Sequence, residues 1–117
     1  MSGFIIASID VEDRELFDRY VDMVENTIRN DGFKVDALFD DHPYLFDGKL
    51  PSKRIVLMKF ESVDQAKKFY YSEGYQDAVA VRHASSTTHF SLLIDGELQR
   101  WGGQSDAPEN AGASKAA

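Results

Sequence analysis

Few side chains in this 117-residue chain combine a type and a spacing that suggest chemistry. Tyr75 and Arg82 stand seven residues apart in a helical stretch, so they share one side of it, with Val79 between them. A guanidinium grips a carboxylate through two parallel hydrogen bonds, and a phenol hydroxyl orients whatever it touches. Arg82 and Tyr75 are therefore ligand-binding candidates, with Tyr20 as a third. The competing role for Arg82 is a structural ion pair or a charge near a helix C-terminus. For the tyrosines it is core or interface filler.

The densest titratable cluster is Asp40-Asp41-His42, whose carboxylates and imidazole could move a proton or meet a divalent cation. Pro43 behind it fits a solvated turn equally well, and adjacent residues seldom converge on one metal. His83 and His89 flank the turn into the last strand, and histidine titrates near neutral pH. Asp10 ends the first strand, where the commoner role is to cap the following helix. His42, Asp10 and His83 are the candidate catalytic residues. The absence of cysteine excludes disulfides, thiolate catalysis and thiolate metal sites. No nucleophile elbow, phosphate loop, dinucleotide fingerprint or zinc spacing occurs, so neither cofactor nor metal is expected.

The elements that must position these groups follow from periodicity. Phe4 to Ile9 is a short apolar run and predicts a buried strand. Phe17, Tyr20, Val21, Val24 and Ile28 recur at three and four residues, with charged residues such as Asp18, Asp22, Glu25 and Arg29 between them. That is an amphipathic helix capped by Asp13 and closed by Gly32. Phe33 to Phe39 alternates as a half-buried strand, and Asp40 to Ser52 reads as a long excursion. Arg54 to Phe60, with Ile55-Val56-Leu57-Met58, predicts a central strand buried on both faces. Ser62 and Gln65 form a capping box, opening a helix that Ser72-Glu73-Gly74 interrupts before a second helix from Tyr75 to about Ala84. Thr87 to Ile94 is the last strand.

The order βαββαβ predicts an α+β, ferredoxin-like domain: an antiparallel sheet with helices on one face. Its strands are apolar in both registers, as at Ile5 and Ile6, Val56 and Leu57, Leu92 and Leu93. A sheet with one bare face should show a polar register. The expected cover is a second copy, giving a homodimeric α/β barrel with helices outside. Residues 1–101 form the expected domain. Residues 102–117, rich in Gly, Ala and Ser, are expected to be a flexible tail.

Charge narrows the partners. With 13 Lys plus Arg against 20 Asp plus Glu, the net charge is -7, which argues against nucleic acid and anionic membrane surfaces. No segment is apolar enough to span a bilayer, and the N-terminus lacks the basic region of a signal peptide, so a cytoplasmic protein is expected.

Asp10-Val11-x-Asp13-x-Glu15-x-Phe17-x-x-Tyr20 resembles the first strand-to-helix segment of the "domain of unknown function 1330" family. Phe46-Asp47-Gly48-x-x-Pro51-x-x-Arg54 resembles its approach to the third strand, and Phe60-x-Ser62-x-x-x-Ala66 the segment after it. Tyr70-x-Ser72-x-x-Tyr75-Gln76, followed by Arg82, is similar to its last helical motif. Leu50 stands where the family has tryptophan, and the family's proline is missing from Ser72-Glu73-Gly74-Tyr75. The resemblance spans about residues 4–96 and implies a dimeric α/β barrel. Families on that fold include lactone isomerases, small monooxygenases and haem-dependent enzymes, whereas this family has no settled reaction. The expected function is a homodimeric small-molecule-binding protein with a pocket between helices and sheet. The alternative is a cofactor-free isomerase or monooxygenase-like enzyme acting on a small anionic carbonyl compound.

Overall fold

A computed structural model describes residues 2–102. The elements are β1 (Ser2–Val11), α1 (Arg14–Asp31), β2 (Val35–Asp40), β3 (Arg54–Phe60), α2 (Val63–Tyr70), α3 (Glu73–Ser85) and β4 (Ser86–Gly96). The sheet order is β2-β3-β1-β4, antiparallel throughout. This is the ferredoxin-like α+β architecture, with the second helical segment divided into α2 and α3. The expected tail beyond Gly102 lies outside the described residues.

Local chemistry sets the helix boundaries. Asp13 caps α1 by accepting from the Leu16 amide at 3.1 Å, and Gly32 closes it in the left-handed region at φ 75°. Ser62 caps α2 through the Gln65 amide at 3.0 Å. Ser72 caps α3 through the Tyr75 amide at 3.2 Å. The expected break at Ser72-Glu73-Gly74 is therefore a cap, and α3 starts at Glu73 rather than Tyr75. Gly74 lies inside the first turn for a packing reason. A Cβ there would stand 2.5 Å from Thr27 Oγ1, so its absence lets α1 and α3 close together.

Strand register sorts the faces. Ile5, Ala7 and Ile9 pair with Met58, Val56 and Arg54, and all face the helices. Phe60 and Phe69 are fully buried there, their rings 5.2 Å apart. The opposite face carries Phe4, Ile6, Leu57, Phe90, Leu92 and Ile94. In the protomer Leu92 and Ile94 are each 44% exposed and Leu38 62%, so β3 is buried on one face and only partly shielded on the other.

Two local features stand at one end of the sheet. The Ser85 carbonyl accepts from the amides of both Glu12 and Asp13 at 2.9 Å, joining the end of α3 to the turn before α1. A bulge in β4 opposite Ser8 and Ile9 inserts His89 as an unpaired residue.

Candidate functional site

The apolar stripe of α1 is only partly used as core. Phe17 is 2% exposed, but Val21, Val24 and Ile28 are only partly buried. They roof a cavity of about 350 Å³ whose floor includes Ile5, Ala7, Val56 and Met58. Val35, Ala37 and Phe39 of β2 form one side, and Tyr20, Tyr75 and Arg82 line it as well. A volume of this order suits a small ligand.

The three residues singled out for ligand binding meet here. Arg82 Nη1 donates to the Tyr75 hydroxyl at 2.7 Å, which lies 2.9 Å from the Tyr20 hydroxyl. Tyr20 comes from α1 and the other two from α3, so the seam made possible by Gly74 sets the geometry. Arg82 is 3% exposed and its guanidinium lies 5.9 Å from the Tyr20 ring centroid. Its Nε is buried with no hydrogen-bond partner. Ion pairs among the described residues join Arg14 to Asp18, Arg54 to Asp41 and His89 to Asp10; none involves Arg82.

Burial pulls the Arg82 guanidinium towards neutrality, but the surrounding phenols, Tyr75 and Tyr20 first among them, outweigh it and raise its pKa. Burial, and then Tyr20, push the Tyr75 phenol far above its ordinary range, despite the opposing pull of Arg82. At neutral pH the site is thus a buried cation donating to the neutral Tyr75 phenol.

The candidate catalytic residues are not brought to this wall. His42 is exposed at the chain's excursion, its amide donating to Asp40 Oδ1 at 2.9 Å, while Asp41 pairs with Arg54. The acidic cluster therefore disperses into a turn and an ion pair. Asp10 does not cap α1, a role Asp13 takes. Its carboxylate accepts from the Lys53 amide at 3.0 Å and meets His89 Nε2 at 2.8 Å. The His89 bond, then the Lys53 amide, hold the Asp10 carboxyl below its usual pKa. His83 is exposed and touches Arg82 from outside the cavity, Nε2 to Nη2 at 3.4 Å.

Sequence reasoning missed Glu25 and Arg29, which it placed on the solvent face. Both are exposed yet line the cavity, so they mark its mouth beside β2. The available signal was Glu25 falling four residues after Val21. It also missed the setting of Arg54, whose guanidinium lies 5.2 Å from the Phe17 ring centroid and 5.3 Å from that of Phe39.

Fold and site together define a ferredoxin-like α+β protein with an apolar cavity between α1 and the sheet and a buried arginine in its wall. The chain belongs to the family described as Domain of unknown function (DUF1330), whose profile matches residues 2–96. No match is found among curated proteins. Solved structures support the fold at low identity. One is SnoaB, a cofactor-independent oxygenase from Streptomyces nogalater, in a variant form: 12% identity, TM-score 0.60, covering 84% of this chain and 95% of that one. A protein of unknown function from Rhodopseudomonas palustris gives 14% identity and TM-score 0.62 over 85% and 83%. A dimeric ferredoxin-like protein of unknown function from Jannaschia sp. gives 12% identity and TM-score 0.58 over 84% and 100%.

Proposed function

We propose that this protein is a homodimeric small-molecule-binding protein whose cavity takes a compact ligand with an apolar body and an anionic end. The observation that carries this reading is Arg82: a guanidinium 3% exposed, at the wall of an apolar cavity, without a carboxylate partner among the described residues. An unpaired buried charge is costly, and a ligand carboxylate or oxyanion offsets that cost. The second copy covers the face bearing Phe4, Ile6, Leu57, Phe90, Leu92 and Ile94, which is too apolar to stay in water. The dimeric ferredoxin-like neighbours are consistent with that arrangement.

The test is native mass spectrometry of the purified protein. The expected result is a dimer carrying a co-purified anion that is lost in Arg82→Ala. Undiminished ligand in that variant removes Arg82 from the site, and a stable monomer at micromolar concentration in ultracentrifugation removes the barrel.

A second reading is favoured by Glu25, a carboxylate in the cavity lining. A cofactor-free isomerase or monooxygenase-like enzyme needs a base there, and His42, Asp10 and His83 do not line the cavity. Glu25 would take a proton α to a carbonyl while Arg82 and the phenols hold the resulting oxyanion. Loss of turnover in Glu25→Gln with ligand affinity retained would separate this reading from simple binding.

A further inference from the structure

Counting protons in the cavity wall gives a sharper ligand class, one that rests on the binding reading above. Arginine has donors and no acceptor. Arg82 Nη1 donates to Tyr75, so that oxygen already faces a cation. Tyr75 and Tyr20 carry two hydroxyl protons and share one hydrogen bond, at 2.9 Å. Whichever of them donates, one proton fills that bond and the other has no acceptor among the described residues. Arg82 Nε–H is likewise buried without a partner. The deep end of the cavity therefore offers a phenol O–H, a buried cation and, among the described residues, no negative group, so it favours a ligand atom that accepts hydrogen bonds and carries negative charge. A neutral alcohol or enol can accept from these donors but leaves the buried charge of Arg82 uncancelled. An oxygen that has shed its proton brings an acceptor and cancels the buried charge.

We infer that the cavity binds a compact enol or phenol in its deprotonated form, with Tyr20 and Arg82 holding the oxyanion. The ligand's O–H bond breaks, the electron pair stays on oxygen, and the proton passes to water. No oxidant or other co-reactant is involved.

The probe is 4-nitrophenol, whose anion absorbs visible light while its neutral form does not. It is titrated against pH with and without saturating full-length protein. The expected outcome is a pKa for the bound probe about one unit or more below that of the free probe, as for a group beside an opposite charge. Tyr20→Phe and Arg82→Met should each shrink that shift, with circular dichroism confirming the fold. Saturable binding with an unchanged or raised pKa overturns the inference and leaves the cavity reading standing. So does a full shift retained in both variants. Benzoate, a carboxylate of similar size, separates the two claims. Benzoate bound through Arg82 without any nitrophenolate binding sinks only the oxyanion inference, and saturable binding of neither sinks both.

Discussion

Arg54 and Arg82 are both largely buried guanidinium groups near the cavity, and they are built in opposite ways. Arg54 is sandwiched between the Phe17 and Phe39 rings and closed off by Asp41 at 2.9 Å. Arg82 donates to the Tyr75 phenol and has no carboxylate partner among the described residues. The first arrangement has its charge paired in the free protein, although Arg54 Nε, like Arg82 Nε, is buried without a hydrogen-bond partner. The second has a hydrogen bond to a phenol at one terminal nitrogen and no such pairing among the described residues. A buried cation without a charged partner costs stability, and the proposed anionic ligand would offset that cost.

The largest expected effect tests this contrast directly. Arg82→Met should weaken binding of a small carboxylate by more than about 100-fold, roughly 3 kcal/mol, in a calorimetric titration. The same variant should match or exceed the parent in thermal stability, because an apolar side chain of similar volume removes an unpaired charge. Arg54→Met should do the reverse, leaving affinity within a few-fold and lowering stability by about 1 kcal/mol. Equal losses of affinity in the two variants would erase the distinction.

The next effect concerns the seam that brings Tyr20 to Arg82. Gly74→Ala should destabilise the fold by about 1–3 kcal/mol in urea denaturation, because the new methyl meets Thr27. Thr27→Ala in the same chain should recover part of that loss, a non-additivity that a double-mutant cycle reads. Additive losses would place the strain elsewhere.

The smallest effect lies at the far cluster. The folded-state pKa of Asp10 is depressed below 3.8, so its contribution to stability is present above that value. That contribution is lost as pH falls through the lower folded pKa. The urea midpoint should drop slightly more steeply below about pH 4 in the parent than in Asp10→Asn. Parallel curves would show that the His89 contact has no energetic role.

Much of this was legible in the residues. The caps at Asp13 and Ser62, the Gly32 stop and the alternation of β1 and β3 are local signals, and local chemistry satisfied them. The Tyr20, Tyr75 and Arg82 constellation was readable because helical spacing and a family motif both pointed to it. The misses share a physical cause. Gly74 looked like a breaker because its value lies in what α1 places against it, which no local pattern reports. Asp10 looked like a cap because a nearby helix start is a local feature, whereas its partners Lys53 and His89 arrive from distant segments. Glu25 and Arg29 read as solvated because a charge on the edge of an apolar stripe looks the same whether it borders bulk water or the mouth of a cavity.

The shared Ser85 carbonyl has a kinetic consequence. With two amides fastened to one oxygen, the start of α1 and the end of α3 are clasped at the end nearest Phe17. The freer margin is the distal half of α1 along the edge strand β2, where Glu25, Arg29 and Phe39 stand. Traffic into and out of the hollow is then set by breathing of that margin, so amide deuteration should slow there on occupancy, while Glu12 and Asp13 stay protected throughout.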